Sequence, residues 1–135
     1  MTPELYRKSF AEATKRIAEL AVNDGRADIP HIKDWTAEDA IIHVGLVFSF
    51  VSQSIHQGSP VGEQGVAPWA NDPVNQPDTS DLGQWFTTVA EDLDEAIWSH
   101  QADDQIWTSS KRMDTAKFWM RRMTQEVEMH RWDIE

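Results

Sequence analysis

The sequence contains no cysteine. Disulfide bonds, thiolate nucleophiles and cysteine-ligated zinc sites are therefore excluded, and any metal ion must be held by histidine, aspartate or glutamate. Basic residues are also scarce, because 12 Lys and Arg stand against 23 Asp and Glu, for a formal net charge of −11. This balance argues against nucleic acids and anionic membranes as partners, since both bind to basic patches.

Long apolar runs are missing as well. The richest stretch, residues 41–51, is interrupted by His43, Gly45 and Ser49, whereas a membrane-spanning helix needs about 20 consecutive apolar residues. The first residues lack the basic and apolar regions of a secretory signal. We therefore expect a cytoplasmic protein that is not embedded in a membrane.

Helical periodicity is the dominant pattern in what remains. A length of 135 residues is ordinary for one domain, which we assign to residues 1–135. Apolar residues recur at three- and four-residue spacing in four segments. These are residues 3–22, residues 36–57, a segment with Asp78 or Ser80 as its N-terminal cap, and a segment that follows Asp114 or Thr115 and runs to the chain end. Strand signals are weak throughout, so the sequence predicts an all-α four-helix bundle.

A long connection, residues 58–77, separates the second predicted helix from the third. It is rich in glycine and proline, and we expect it to form neither a helix nor a regular strand. Trp69, in its middle, suggests that the segment packs onto the bundle. Loops of this length are uncommon in compact domains unless they are functional or disordered. The segment either crosses from one bundle end to the other or covers a pocket as a lid.

The last predicted helix carries polar groups on its inward face. At about 100° per residue, Trp119, Met123, Glu126, His130 and Asp133 share roughly 80° of arc. A carboxylate and an imidazole therefore lie one turn apart on the face that enters the core, whereas Glu128 points the opposite way. A buried carboxylate must be neutralised, paired or bound to a metal.

His43 supplies a third group from the second helix. It lies on an inward stripe with Ala40 and Val47, and metal sites in bundles are built from inward side chains on facing helices. The sequence therefore predicts one divalent metal ion between His43, Glu126 and His130. The alternative is that Glu126 hydrogen-bonds to both histidines with no metal present.

Two segments resemble a known family. Trp-Thr-Ala-Glu-Asp at 35–39 and His-Val-Gly at 43–45 look like the start of the second helix in the N-terminal domain of mycothiol-dependent maleylpyruvate isomerase. Phe-Trp-Met-Arg-Arg-Met at 118–123, followed by Glu126, His130, Arg131 and Asp133, is similar to another helix of that family. The family belongs to the DinB-like group of metal-binding four-helix bundles, and the match covers nearly the whole chain in element order.

The resemblance implies a divalent metal, usually zinc, on the positions that match His43, Glu126 and His130. It also implies that mycothiol or a similar small thiol reacts with an electrophilic substrate, as in a thiol S-transferase or an isomerase. Family members often carry Cys-Pro-Gly where this chain has residues 32–34, and many continue into a second domain. A non-catalytic module that binds a metal or a ligand with the same bundle therefore remains the alternative.

Other polar residues have simpler expected roles. His31 should be exposed before the second helix, and His56 should lie at the end of that helix. His100 shares the inward stripe of the third helix, so it could be a fourth ligand or a proton carrier, although a position at the helix C-terminus, where the dipole favours a cation, is the simpler account.

Two further residues stand close to the predicted ligands. Asp133 is a plausible acceptor for a ring N–H of a ligand histidine. Arg122 lies at the edge of the ligand face, where it can pair with Glu126, bind an anionic substrate or form a surface salt bridge. Exposed tryptophans and the acidic surface permit a homodimer.

Overall fold

A computed structural model describes residues 1–23 and 36–134. Four long helices and one short helix account for most of these residues. They are α1 Pro3–Asn23, α2 Ala37–Gln57, α3 Val66–Asn71, α4 Leu82–Trp98 and α5 Ala116–Ile134. Within the described ranges there is no strand, and Gln105 and Thr115 form an isolated bridge. The predicted all-α bundle is confirmed, and none of the described helices is long and apolar enough to cross a membrane.

The ends of α2 follow the local chemistry of the sequence. The Thr36 hydroxyl accepts a hydrogen bond from the Asp39 backbone N–H at 3.2 Å, and the Asp39 carboxylate accepts one from the Thr36 N–H at 3.0 Å. This reciprocal pair satisfies two N–H groups that a helix start leaves free. At the other end, Gly58 adopts a left-handed conformation with φ 81° and donates its N–H to Ser54 O. A residue without a Cβ takes that conformation at little cost.

The start of α4 differs slightly from the prediction. Asp78 accepts a hydrogen bond from Ser80 N at 2.9 Å, but it caps a short 3₁₀ turn, Thr79–Asp81, rather than the helix itself. The cap of α4 is Asp81, whose carboxylate accepts from Gln84 N. Neither of the two expected caps, Asp78 or Ser80, is therefore correct, because an extra turn of helix precedes α4.

The connection between α2 and α4 is more ordered than predicted. The expectation that residues 58–77 contain no helix is wrong, because they include α3 and a 3₁₀ turn, Pro73–Asn75. Pro68 lies in the first turn of α3, where a backbone N–H has no partner within the helix and proline is therefore tolerated. Trp69 packs its ring 5.5 Å from the ring of Phe50 on α2, as expected for a segment that packs onto the bundle.

The four long helices enclose one apolar core. α1 packs against α5 and α4, and α2 packs against α4 and less extensively against α5. Among the described helices, α2 contributes the most buried residues, as its apolar sequence predicts. The largest fully buried side chains come from all four long helices: Phe10, Ile17, Ile41, Phe48, Phe86, Leu93, Ile97 and Met120.

Two pairs of antiparallel helices form opposite sides of the bundle. α1 and α4 are antiparallel, because Arg7 pairs with Asp94 at 2.7 Å and the Trp98 indole N–H donates to Pro3 O. α2 and α5 form the other side, since α1 stands diagonally from α2 and α4 from α5. The predicted polar face of α5 therefore meets α2.

Gly45 on α2 lies directly against the side chain of Trp85 on α4. A Cβ at this position would overlap the ring of Trp85. Glycine weakens a helix interior relative to alanine by roughly 0.5–1 kcal/mol. Its presence here is explained by the indole that fills the space in front of it.

Candidate metal centre

The inward face of α5 is buried along its length, as the spacing predicts. Trp119, Met123, Glu126 and His130 are 3–8% exposed, and Asp133 in the last turn is partly buried. On the facing helix, His43 is half-buried. The residues three positions before and after it, Ala40 and Leu46, are buried. The bundle has therefore placed three potential ligands between the same two helices.

The donor atoms of His43, Glu126 and His130 all lie within 4.8 Å of one another. His130 Nε2 is 3.2 Å from Glu126 Oε1, and the His43 and His130 rings are 5.3 Å apart between centroids at an interplanar angle of 62°. The structure thus brings all three predicted residues together. No other group of three or more such ligands occurs in residues 1–23 and 36–134.

These distances are close to those between the ligand atoms of a bound zinc ion. Zinc bonds of about 2.0–2.1 Å in tetrahedral geometry separate two ligand atoms by about 3.3 Å. The 3.2 Å between His130 and Glu126 already matches such an edge, and it is equally a hydrogen-bond length. The three donor atoms lie within 4.8 Å of one another, so small side-chain movements bring every pair to this separation. That these residues bind a metal stays a prediction.

The Glu126 carboxylate is held in its charged form. The hydrogen bond with His130 is the main reason that its pKa is lowered, and electrostatic interactions with His130, Arg122 and His43 lower it further. Burial acts in the opposite direction but does not prevail. Glu126 therefore offers an anionic oxygen at neutral pH, which is the form that binds a metal.

His43 is held in its neutral form. Burial lowers its pKa below the ordinary value of 6.5, and repulsion by His130 lowers it further, although Glu126 has the opposite effect. A neutral imidazole presents the lone pair that a metal ion requires. The two helices thus contribute groups whose protonation states both suit a divalent cation.

His130 Nδ1 is the buried atom that the structure leaves without a hydrogen bond. Within the described part of the chain, no other buried side-chain nitrogen or oxygen lacks a partner. The Asp133 carboxylate is close, with Oδ2 4.0 Å from Nδ1. Asp133 was expected to accept a hydrogen bond from a ring N–H of a ligand histidine, but this distance is longer than a hydrogen bond.

Arg122 contacts the other oxygen of Glu126. Its Nη1 lies 3.4 Å from Glu126 Oε2, and the arginine side chain is 52% exposed while the glutamate side chain is 11% exposed. Of the three roles expected from the sequence, the structure contains the salt bridge to Glu126. The exposed guanidinium also leaves donor groups at the edge of the candidate site.

The remaining histidines stand apart from this group. His100 lies beyond the end of α4 and its Nδ1 is 3.5 Å from Asp104 Oδ2, so it does not continue the inward stripe of that helix. It is not part of the three-residue cluster, and the fourth-ligand alternative gains no support. His56 is exposed in the last turn of α2, as expected. His31 and residues 32–34 lie outside the described residues.

An aromatic cluster lies beside the same helices, and the sequence pattern did not predict it. Phe50 contacts Trp69 and Trp107, with ring centroids 5.5 Å and 6.4 Å apart, and Trp107 lies 5.7 Å from Trp119. Phe50 follows His43 by seven residues, so the cluster is about two turns, or ~10 Å, from the triad. The abundance of tryptophan in the sequence indicates aromatic packing. The partners of each ring lie in distant segments, so the sequence does not predict which rings meet.

Comparison with known proteins supports the family resemblance. The sequence matches the family described as "Mycothiol maleylpyruvate isomerase N-terminal domain" over residues 6–135. No curated protein and no solved structure matches the chain. The matched range contains all three residues of the candidate site.

Proposed function

The chain belongs to the mycothiol maleylpyruvate isomerase N-terminal domain family, and on this premise we propose that it is a metal-dependent enzyme that uses a small thiol. The metal is one divalent ion, zinc, held by His43, Glu126 and His130. The observation that carries the proposal is the convergence of these three donor groups within 4.8 Å between two helices. The reaction class is thiol S-transfer or isomerisation with mycothiol or a similar thiol as cosubstrate.

The donor set suits a reactive metal better than a structural one. Structural zinc sites are usually closed by four protein ligands, whereas catalytic sites use three and leave a position open. Two imidazoles and one carboxylate form such a three-ligand set. Zinc bound there would favour the thiolate form of a small thiol and would polarise a substrate carbonyl.

Each residue has a separate task in this proposal. Glu126 supplies a negative charge that offsets part of the cation's charge, and His130 shares its position through the 3.2 Å contact. His43 is the most exposed of the three, so a substrate would approach from its side. Arg122, with its exposed guanidinium beside Glu126, is available to bind an anionic group of the thiol or of the electrophile.

Metal analysis of the purified protein is the first test. We expect one zinc ion per chain in the wild type, loss of that ion in His43→Ala and Glu126→Gln, and no change in the control His56→Ala. Wild-type protein that stays metal-free after incubation with zinc would support the alternative in which Glu126 and His130 are simply hydrogen-bonded.

Turnover is the second test. We expect the wild type to consume an electrophilic substrate only when a small thiol is added, and to stop when a chelator removes the metal. A protein that retains its zinc but shows no thiol-dependent turnover would contradict the enzyme and support the non-catalytic binding module. The two tests therefore separate the site from its chemistry.

A further inference from the structure

A groove of about 980 Å³ runs along the outside of the bundle between α1 and α4. This is the side opposite α2 and α5, and none of the lining residues belongs to the metal centre. The groove is an additional surface feature that the proposed chemistry does not use.

The groove exists because small residues face each other along its floor. The Arg7–Asp94 pair sets the register of the two antiparallel helices, and one turn further along each of them Ala11 is level with Ala90. The other small lining residues continue this pattern: Thr14 and Ala18 on α1, Gly83 and Thr87 on α4. These small side chains leave space between the two helices.

The two walls of the groove carry opposite charges. On α1 the middle of the wall contains Arg7, Lys8 and Lys15, with Glu4 and Glu19 towards its two ends. The wall on α4 contains Glu91 and Asp94, and Asp81 caps its start; no lysine or arginine occurs on that helix. A basic wall therefore lies beside an acidic wall.

From this arrangement we propose that the groove is the interface of a homodimer. A symmetric dimer uses the same surface on both copies, so that surface must be complementary to itself. A two-fold axis that runs parallel to the helices, between the walls, lays α1 of each copy on α4 of its partner. The basic wall of one copy then meets the acidic wall of the other.

The register favours particular pairs. In this arrangement, residues at the same height on α1 and α4 face each other across the interface, as Arg7 and Asp94 do within one chain. Lys8 of one copy is then level with the segment around Glu91 to Asp94 of the partner. The aliphatic stem of Lys15 covers the small-residue floor while its ammonium group reaches the rim.

A dimer with the two-fold axis perpendicular to the helices is disfavoured. It would place α4 on α4, where no positive charge is available. Each copy carries a formal net charge of −11, so two copies repel each other at long range. An interface therefore has to bring opposite charges together, and the α1-on-α4 arrangement does so twice.

The interface leaves the metal centre accessible, because α2 and α5 lie on the other side of the bundle. Two helices about 30 Å long and ~10 Å apart present a face of several hundred Å². This area is comparable to the roughly 800 Å² that each partner buries in a stable complex. The proposal is independent of whether zinc or a thiol binds.

Sedimentation velocity of the full chain over a range of micromolar concentrations tests the proposal, with Lys8→Glu, Glu91→Lys and the double swap compared with the wild type. We expect a wild-type dimer, at least tenfold weaker association in each single variant, and recovery in the double variant. Both positions are exposed, so the variants should fold; circular dichroism checks this. Lys117→Glu, an exposed control on α5, should dimerise like the wild type.

Three results would overturn the proposal. The first is a wild-type chain that stays monomeric at every concentration. The second is a Lys8→Glu variant that behaves like Lys117→Glu. The third is a double swap that associates no better than the single variants, because an α1-on-α4 contact must restore the paired charges.

Discussion

Asp133 Oδ2 lies 4.0 Å from Nδ1 of His130, one turn before it on α5. The opposite ring nitrogen, Nε2, faces Glu126 Oε1 at 3.2 Å. If Nε2 gives its lone pair to a metal, the proton of the neutral ring must be on Nδ1, which is buried and lacks a hydrogen-bond partner in the structure. A change of rotamer at Asp133 would supply the acceptor and fix that tautomer.

We therefore predict that Asp133→Ala weakens zinc binding by about 10–100-fold, the usual effect of removing a residue that orients a ligand histidine. Competition with a chromophoric chelator measures the affinity. Glu128→Ala is the matched control, because Glu128 lies on the other face of the same helix and pairs with Arg131. Equal zinc affinities in the two variants would show that Asp133 does not position His130.

Acid should destabilise the metal-free protein through His43. The pKa of His43 in the folded protein is below its ordinary value of 6.5, so the unfolded chain takes up a proton at a pH where the folded chain does not. The contribution of His43 to stability is complete above pH 6.5 and is lost as the pH falls towards the folded pKa.

Thermal unfolding of the chelated protein from about pH 8 to about pH 5 measures this effect. The melting temperature should fall below pH 6.5, and His43→Gln should flatten that part of the profile. Glu126, whose pKa is also lowered, keeps its contribution to stability throughout this range and loses it only as the pH falls below its ordinary value of 4.5. An unchanged profile in His43→Gln would contradict the burial of a neutral imidazole.

Gly45→Ala should destabilise the fold, although alanine is the better helix former. The added Cβ would overlap the Trp85 ring, and overpacking of this kind costs about 1–3 kcal/mol, more than the roughly 0.5–1 kcal/mol that alanine contributes to a helix. Urea unfolding should therefore show a lower free energy of unfolding. In a double-mutant cycle with Trp85→Leu the penalty should shrink, and an additive cycle would refute the contact.

Trp69→Ala tests whether the connection between α2 and α4 only stabilises the bundle or covers a pocket as a lid. Trp69 packs on Phe50, and its carbonyl accepts a hydrogen bond from the Asn75 side chain at 2.8 Å. If the connection only stabilises the bundle, we expect the free energy of unfolding to fall by roughly 2 kcal/mol, with zinc affinity unchanged. This is less than replacing a fully buried tryptophan with alanine would cost. Val74→Ala, an 82% exposed position in the same segment, is the control. Unchanged stability together with altered turnover would indicate a lid.

The local signals in the sequence predicted the helices well because each depends on neighbouring residues. Apolar spacing, the Thr36 cap and Gly58 determine where α2 lies, and the observed bounds follow them. The convergence of His43 with Glu126 and His130 was also predictable, because a buried polar face on one helix requires a partner on another. The bundle has few ways to provide that partner.

Features that depend on the register between distant helices were not predictable. The residues around Gly45 do not predict its contact with Trp85. In the same way, the residues around Ala11 do not predict that it lies level with Ala90. The short helix α3 was not predicted for a different reason. Proline usually breaks a helix, but Pro68 lies in a first turn, where it removes an N–H that needs no partner.

All three candidate ligands come from long helices, and none comes from the connections that carry Trp69 and Trp107. These connections can therefore be varied while the donor atoms keep their positions. For protein engineering, substitutions in residues 58–81 and 99–115 leave the three candidate ligands on an unaltered pair of helices.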